Sequence, residues 1–135
     1  MKKGKVIFHL ILLISIVLLF FYLGNSSKIR EEDLIGGTWR ATAGYKEGKP
    51  DGEPNCTDYL MEGLEIKQDG VAYGGKLDEE FEYSVKYNEE GTKIVFITKN
   101  SYYSYYIDKI SKDEIGLVGG IESLNNQSCY FKRNK

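Results

Sequence analysis

Residues 81–87 read FEYSVKY, in which apolar or aromatic residues occupy every second position and polar residues lie between them. A period of two residues is the pattern of a β-strand with one face on a core and the other in water. Residues 93–98, KIVFIT, form a second run of β-branched and aromatic residues, which favour strands. The polar residues 88–91, NEEG, supply a hairpin connection. This stretch therefore predicts a pair of antiparallel strands.

Similar short runs, separated by turn residues, extend along the chain on both sides of this hairpin. Eight strands are predicted, at residues 38–43, 64–67, 71–73, 81–87, 93–98, 102–110, 114–118 and 128–132. Their spacing leaves no room for crossover helices, so an antiparallel up-and-down order is predicted. Closure of such a sheet removes exposed strand edges. The predicted fold class is all-β: an eight-stranded antiparallel barrel.

Two further features concern the inside and one end of this barrel. Residues 29–35, IREEDLI, are predicted to be helical, with Ile29 sharing a face with Leu34 or Ile35, and to cap one barrel end. The strands are short enough for large side chains to fill the interior and leave no cavity. The residues expected to do so are Trp39, Phe81, Tyr83, Tyr87 and Phe96.

The N-terminal segment is predicted to be a single transmembrane helix. Residues 6–23 carry no charge, and in a helix they span roughly 27 Å, close to the thickness of a bilayer's hydrocarbon core. Lys2, Lys3 and Lys5 precede this segment, which favours a cytoplasmic N-terminus and a C-terminal domain outside the cell membrane. The predicted organisation is an anchor or signal segment at residues 1–24, a linker with the short helix at 25–35, and a barrel domain at 36–135.

Two fates are open for this segment. An uncleaved anchor keeps the domain at the membrane, whereas cleavage at Gly24-Asn25-Ser26 would release a secreted domain. The apolar run is longer than the usual signal region, and residues 20–22, FFY, form an aromatic belt typical of a membrane interface. Both observations favour the anchor.

The two cysteines, Cys56 and Cys129, both follow the apolar segment. An exported domain meets oxidising conditions, and only one intrachain pairing exists, so a Cys56–Cys129 disulfide is predicted. Two free thiols are the alternative. A two-cysteine metal site is disfavoured, because no histidine or carboxylate cluster accompanies the pair. No metal or cofactor is expected.

The charge of the outer part argues against nucleic acid as a partner. Three of the 18 basic residues precede the apolar segment, so 15 basic residues face all 20 acidic ones in the remainder of the chain. A nucleic-acid interface needs a basic stripe, and the sequence contains none.

Both ends of the predicted barrel domain resemble those of small bacterial lipocalin-like domains. Residues 34–39, LIGGTW, open the first strand, and residues 130–133, YFKR, close the last. In the lipocalin family a Gly-x-Trp begins the first strand, its Trp plugs the barrel floor, and a basic residue after the last strand packs on the indole. The resemblance implies these structural roles for Gly37, Trp39 and Arg133.

An enzymatic activity is not predicted. The only histidine, His9, lies in the apolar segment, so the outer domain lacks the usual general base and metal ligand. Carboxylates at residues 78–80 and 89–90 are the sole candidates for glycosidase-like acid and base chemistry, but adjacent strand residues point to opposite faces. A carboxylate-dependent hydrolase is therefore the least favoured alternative.

Tyrosine is the conspicuous excess, with 11 in the chain. In residues 101–107, SYYSYYI, alternation turns Tyr103 and Tyr105 to one face and Tyr102 and Tyr106 to the other, so two tyrosines should point outward. Tyrosine is enriched at protein interfaces. We predict an extracytoplasmic binding module that engages an envelope protein, as an inhibitor or immunity factor would, with these four tyrosines as the binding residues. A carrier of a small apolar ligand is the alternative.

Overall fold

The computed structural model describes residues 2–25, 28–75 and 77–135. These residues contain three α-helices: α1 (Lys2–Asn25), α2 (Glu31–Leu34) and α3 (Asp58–Met61). Ten strands follow one another as β1 (Thr38–Ala43), β2 (Tyr45–Lys46), β3 (Lys49–Pro50), β4 (Glu65–Ile66), β5 (Val71–Gly74), β6 (Glu79–Asn88), β7 (Gly91–Ile97), β8 (Tyr102–Ser111), β9 (Glu114–Gly119) and β10 (Ser128–Asn134). Short 3-10 turns lie at Gln68–Gly70 and Glu122–Leu124.

Eight of the strands form one antiparallel sheet in the order β1-β10-β9-β8-β7-β6-β5-β4. The two outermost strands approach each other, because the backbone N–H groups of Trp39 and Leu64 donate reciprocally to each other's carbonyl oxygens at 2.8 Å. The sheet is thereby a nearly closed barrel. The predicted all-β class, the eight strands and their up-and-down order are confirmed.

The β6–β7 hairpin has the register expected from its sequence. Asn88 pairs with Gly91, so Glu89 and Glu90 alone form the loop. The alternating residues of β6 point inward, and Phe81 and Tyr83 are buried. The expectation for Tyr87 is wrong, since its side chain is 58% exposed. Periodicity assigns a residue to a face but not to a depth, and Tyr87 lies next to the hairpin loop, at the barrel rim.

The barrel interior is filled by interlocking aromatic side chains. Phe81 and Phe96 meet edge-to-face with ring centroids 5.7 Å apart, and Phe96 meets Tyr105 at 6.5 Å. Such contacts are favoured by the aromatic quadrupole. Trp39 and Tyr83, which were also predicted to fill the interior, are buried in the same core.

Both ends of the barrel are covered by apolar side chains. At the end where β1 begins, Ile29 and Leu34 are buried, although the helix spans only Glu31–Leu34 and is shorter than the predicted 29–35. The Asp33 carboxylate accepts a hydrogen bond from the Arg30 backbone N–H at 2.9 Å and so caps this helix. At the opposite end, Leu60 of α3 and Leu124 are buried.

A two-stranded ribbon, which the sequence did not predict, lies on the outside of the barrel. Tyr45 of β2 pairs with Pro50 of β3. The Tyr45 ring packs where Gly116 of β9 has no side chain, and its hydroxyl donates to the Asp108 carboxylate at 2.6 Å. The ribbon is therefore held by contacts with the barrel wall.

Helix α1 is 24 residues long, and its segment Lys2–Phe20 is long and apolar enough to cross a membrane. The apolar side chains along it, such as Phe8 and Leu18, are exposed on all sides. Ser26 of the predicted cleavage sequence lies outside the described residues.

Candidate functional site

Cys56 and Cys129 form the predicted disulfide. Their Cα atoms are 6.0 Å apart and both residues are buried. Reciprocal backbone hydrogen bonds between the flanking Asn55 and Ser128, at 3.0 and 2.9 Å, hold the two segments together. The bridge ties the chain before α3 to β10, and a stable structural disulfide indicates an oxidising compartment.

Trp39 forms the floor of the barrel. Its side chain is completely buried, and its indole N–H donates to the Leu34 carbonyl oxygen at 2.9 Å. The Arg133 guanidinium lies over the indole, 4.5 Å from the ring centroid. Gly37 has a φ of 67°, and a Cβ there would collide with Arg133 and with the Asn134 backbone. Arg133 thus lies against both Gly37 and Trp39, while membership of the lipocalin family stays a prediction.

Arg133 also joins the capping segment to the end of the barrel. Its guanidinium pairs with Asp113 at 3.0 Å and donates to the carbonyl oxygens of Asp33 and Ile35 at 3.0 and 3.3 Å. Its side chain is only 6% exposed, so these bonds replace the water that the charge loses on burial. Arg133 thus has a structural role.

Tyr83 links the same cap to β6. Its hydroxyl lies 2.8 Å from the Glu31 carboxylate and 2.7 Å from the Lys67 carbonyl oxygen. Burial, followed by the hydrogen bond and charge of Glu31, raises the pKa of Tyr83 well above its ordinary value of 10.0. The folded state therefore keeps this proton at a pH where the unfolded chain has released it.

This difference is expected to make the barrel less stable in alkali. The contribution of Tyr83 is complete below pH 10 and declines as the pH rises above it, because only the unfolded state then loses the proton. Tyr83→Phe should flatten the fall in unfolding free energy above pH 10, measured by urea titration at successive pH values. Tyr102→Phe, a change at an exposed site, is the control. A slope unchanged by Tyr83→Phe would contradict this role.

The four predicted binding tyrosines divide between the two faces of β8 as the alternation requires. Tyr105 is fully buried and Tyr103 packs against the core, whereas Tyr102 is 59% exposed and Tyr106 is partly buried on the outer face. Tyr103 and Tyr105 are therefore chiefly structural. The structure separates the predicted set and leaves Tyr102 and Tyr106 as the outward pair.

Apolar side chains from neighbouring segments lie beside Tyr102 on this outer face. The register pairs Ile97 with Tyr102 and Val95 with Ser104, and Ile121 lies beside them. We call Val95, Ile97, Tyr102, Tyr106 and Ile121 the outer-wall patch. The alternation in residues 93–98 could have identified Val95 and Ile97, but no sequence signal brings Ile121 to this place.

Lysines border the patch on one side. Lys86 of β6 and Lys93 of β7 lie directly opposite each other, an arrangement of like charges that is unfavourable in a sheet. The Lys93 ammonium lies 4.6 Å from the centroid of the Tyr106 ring, and the Tyr106 hydroxyl donates to Glu90 at 2.6 Å. Within the described parts of the chain, neither lysine has a carboxylate within 4.0 Å.

The carboxylates considered for catalysis do not converge. Glu79 and Glu80 are consecutive exposed residues of β6, and the Glu80 carboxylate accepts a hydrogen bond from the Tyr73 hydroxyl at 3.1 Å. Glu90, on the far hairpin loop, is bound by Tyr106. Residues 2–25, 28–75 and 77–135 contain no group of histidine, cysteine and acidic side chains that could hold a metal ion.

Comparison of the chain with protein-family models, curated proteins and solved structures finds no match.

Proposed function

We propose that this chain is a membrane-anchored, extracytoplasmic binding module whose outer-wall patch engages a protein partner at the cell envelope, as an inhibitor or immunity protein would. The observation that carries the proposal is the combination of a filled interior with an exposed aromatic and aliphatic surface. A barrel whose core is occupied by its own aromatic side chains binds most readily through its outside.

Helix α1 supports the anchored location. Its apolar side chains from Val6 to Phe20 are exposed all round, and burial of such a surface in a bilayer is strongly favourable. The lysines at residues 2, 3 and 5 favour a cytoplasmic N-terminus. The Cys56–Cys129 disulfide is consistent with a domain on the opposite, oxidising side.

The patch also indicates the chemistry of its partner. Tyr102 and Ile97 supply a rigid apolar surface, while Lys86 and Lys93 present two positive charges that no carboxylate of the described residues approaches within 4.0 Å. A partner with an apolar side chain flanked by carboxylates would bury the surface of Tyr102 and Ile97 and neutralise the two lysines. Catalysis plays no part in this proposal.

Tyr102→Ser is expected to weaken partner binding by about 2 kcal/mol or more, roughly 30-fold, and to change folding by about 0.5 kcal/mol or less. Tyr87→Ser is a matched control, because the exposed fractions of the two side chains are 59% and 58% but Tyr87 lies at the barrel rim. A photo-crosslinker placed at residue 95 of the full chain in intact envelopes identifies the partner. Binding of both serine variants to it is then compared.

Equal binding by both serine variants and the native chain would contradict the outer-wall interface.

A second candidate function, a carrier of a small apolar ligand, is supported by a groove of about 660 Å³ whose lining includes Ile29, Tyr87 and Ile107. Weakened binding of a co-purifying apolar ligand by Tyr87→Ser, with the protein contact unaffected by Tyr102→Ser, would favour this carrier instead.

A further inference from the structure

A second open cavity lies at the capped end of the barrel, away from the outer-wall patch. Its volume is about 310 Å³, and one wall is formed by the chain between α2 and β1, which includes Gly36 and Gly37. Four cationic side chains line it, against two acidic ones: Lys109, Lys112, Arg133 and Lys135, with Glu32 and Asp33. Positive charge therefore predominates in the cavity.

Only part of this charge is neutralised by neighbouring groups. Lys109 pairs with Asp33 at 3.5 Å, and Arg133 pairs with Asp113 at 3.0 Å. The Lys135 ammonium lies 3.9 Å from that same Asp113, and the adjacent Lys112 lowers the pKa of Lys135. Lys135 thus shares the Asp113 carboxylate with Arg133, and within the described residues the Lys112 ammonium has no carboxylate within 4.0 Å. An anion placed between Lys112 and Lys135 would relieve their repulsion.

The wall beside these lysines allows a bulky anion to approach the backbone. Gly36 has a φ of 95°, and the space where a side chain would lie is empty. A tetrahedral oxyanion could therefore reach the backbone at this point while the lysines contact its oxygens. Phosphate groups are commonly bound by lysine ammonium groups together with accessible backbone.

The cavity also lies close to the proposed anchor along the chain. Helix α1 ends at Asn25, and the described chain resumes at Lys28. Three residues of trans polypeptide span at most about 11 Å, which limits the distance between the end of α1 and Lys28. Glu32 of the cavity wall follows four residues later. If α1 crosses the bilayer, the capped end is held within reach of the lipid headgroups.

We propose that this cavity binds the phosphate group of an anionic phospholipid headgroup through Lys112 and Lys135, and so seats the capped end of the barrel on the membrane surface. The proposal rests on the anchored location proposed above. Contact with the membrane leaves the outer-wall patch, on the side of the barrel, free for a protein partner.

The test uses the full chain in lipid nanodiscs of phosphatidylcholine with increasing fractions of phosphatidylglycerol. The thermal unfolding midpoint of the barrel should rise with the phosphatidylglycerol fraction. Lys112→Gln should increase the half-saturating fraction about fivefold, and Lys112→Gln/Lys135→Gln should abolish the response. Lys46→Gln/Lys99→Gln removes two exposed lysines outside the cavity and should preserve the response.

Three outcomes would overturn the proposal. The first is a response to phosphatidylglycerol that both double variants retain, and the second is a response that both double variants lose. In either case the response does not depend specifically on this cavity. The third is an equal response when inorganic phosphate is added to pure phosphatidylcholine discs, which would identify a free-phosphate site. Release of the chain from the discs would contradict the anchored location but not the cavity site. The cavity is then tested with soluble dihexanoyl-phosphatidylglycerol and the same variants.

Discussion

Replacing Trp39 with alanine is expected to lower the free energy of unfolding by about 3–5 kcal/mol. The indole is completely buried, and alanine would leave a cavity beneath Arg133 and remove the donor to the Leu34 carbonyl oxygen. It would also deprive the Arg133 guanidinium of the ring on which it stacks. The loss is measured by urea unfolding of the full chain in detergent, followed by far-ultraviolet circular dichroism.

Tyr102→Ala provides the control for removing an aromatic ring, because Tyr102 is exposed and its loss should change stability by about 0.5 kcal/mol or less. Trp39 is the only tryptophan, so the native fluorescence reports on this site alone and should be blue-shifted. A solvent-like emission, or a nearly neutral Trp39→Ala, would contradict the floor role.

Removing the disulfide with Cys56→Ala/Cys129→Ala is expected to cost about 4 kcal/mol, because the bridge closes a loop over a sequence separation of 73 residues. The loss arises mainly in the unfolded state, which regains chain entropy. The native barrel should keep its secondary structure, since Asn55 and Ser128 still bridge the same segments. Thermal unfolding of the native chain with and without reductant measures the same difference.

The double alanine variant itself should show no response to reductant, which separates the bridge from other effects of reduction. Mass spectrometry of protein isolated from the envelope under non-reducing conditions should show both cysteines joined. Two free thiols there, or equal unfolding midpoints with and without reductant, would be incompatible with a stabilising bridge.

The sequence predicts those parts of the fold that depend on local pattern. Alternation in residues 81–87 fixes the face of each side chain, and NEEG fixes the hairpin between two strands. Cys56 and Cys129 allow only one intrachain pairing, and their disulfide forms as predicted. Each of these predictions needs only neighbouring residues or a single choice of partner.

Features that depend on distant contacts were not predictable in this way. The ribbon of β2 and β3 has two residues per strand and forms because Tyr45 packs over Gly116 and binds Asp108. Ile121 joins the outer-wall patch only through the path of the chain after β9. The exposure of Tyr87 reflects its distance from the core, which periodicity does not encode.

The pairing of the first barrel strand with the last has a consequence for the order of assembly during synthesis. Strands β4 to β9 join neighbours along the chain and can zip together as hairpins while the polypeptide is still emerging. β1 must wait for β10, and Arg133 meets the Asp33 carbonyl oxygen across 100 positions of sequence. Until then β1 is an unpaired edge next to a growing sheet, a state prone to aggregation. Barrel closure is thus a late event in folding, and an attachment that keeps nascent copies apart on a surface would protect the chain during this delay.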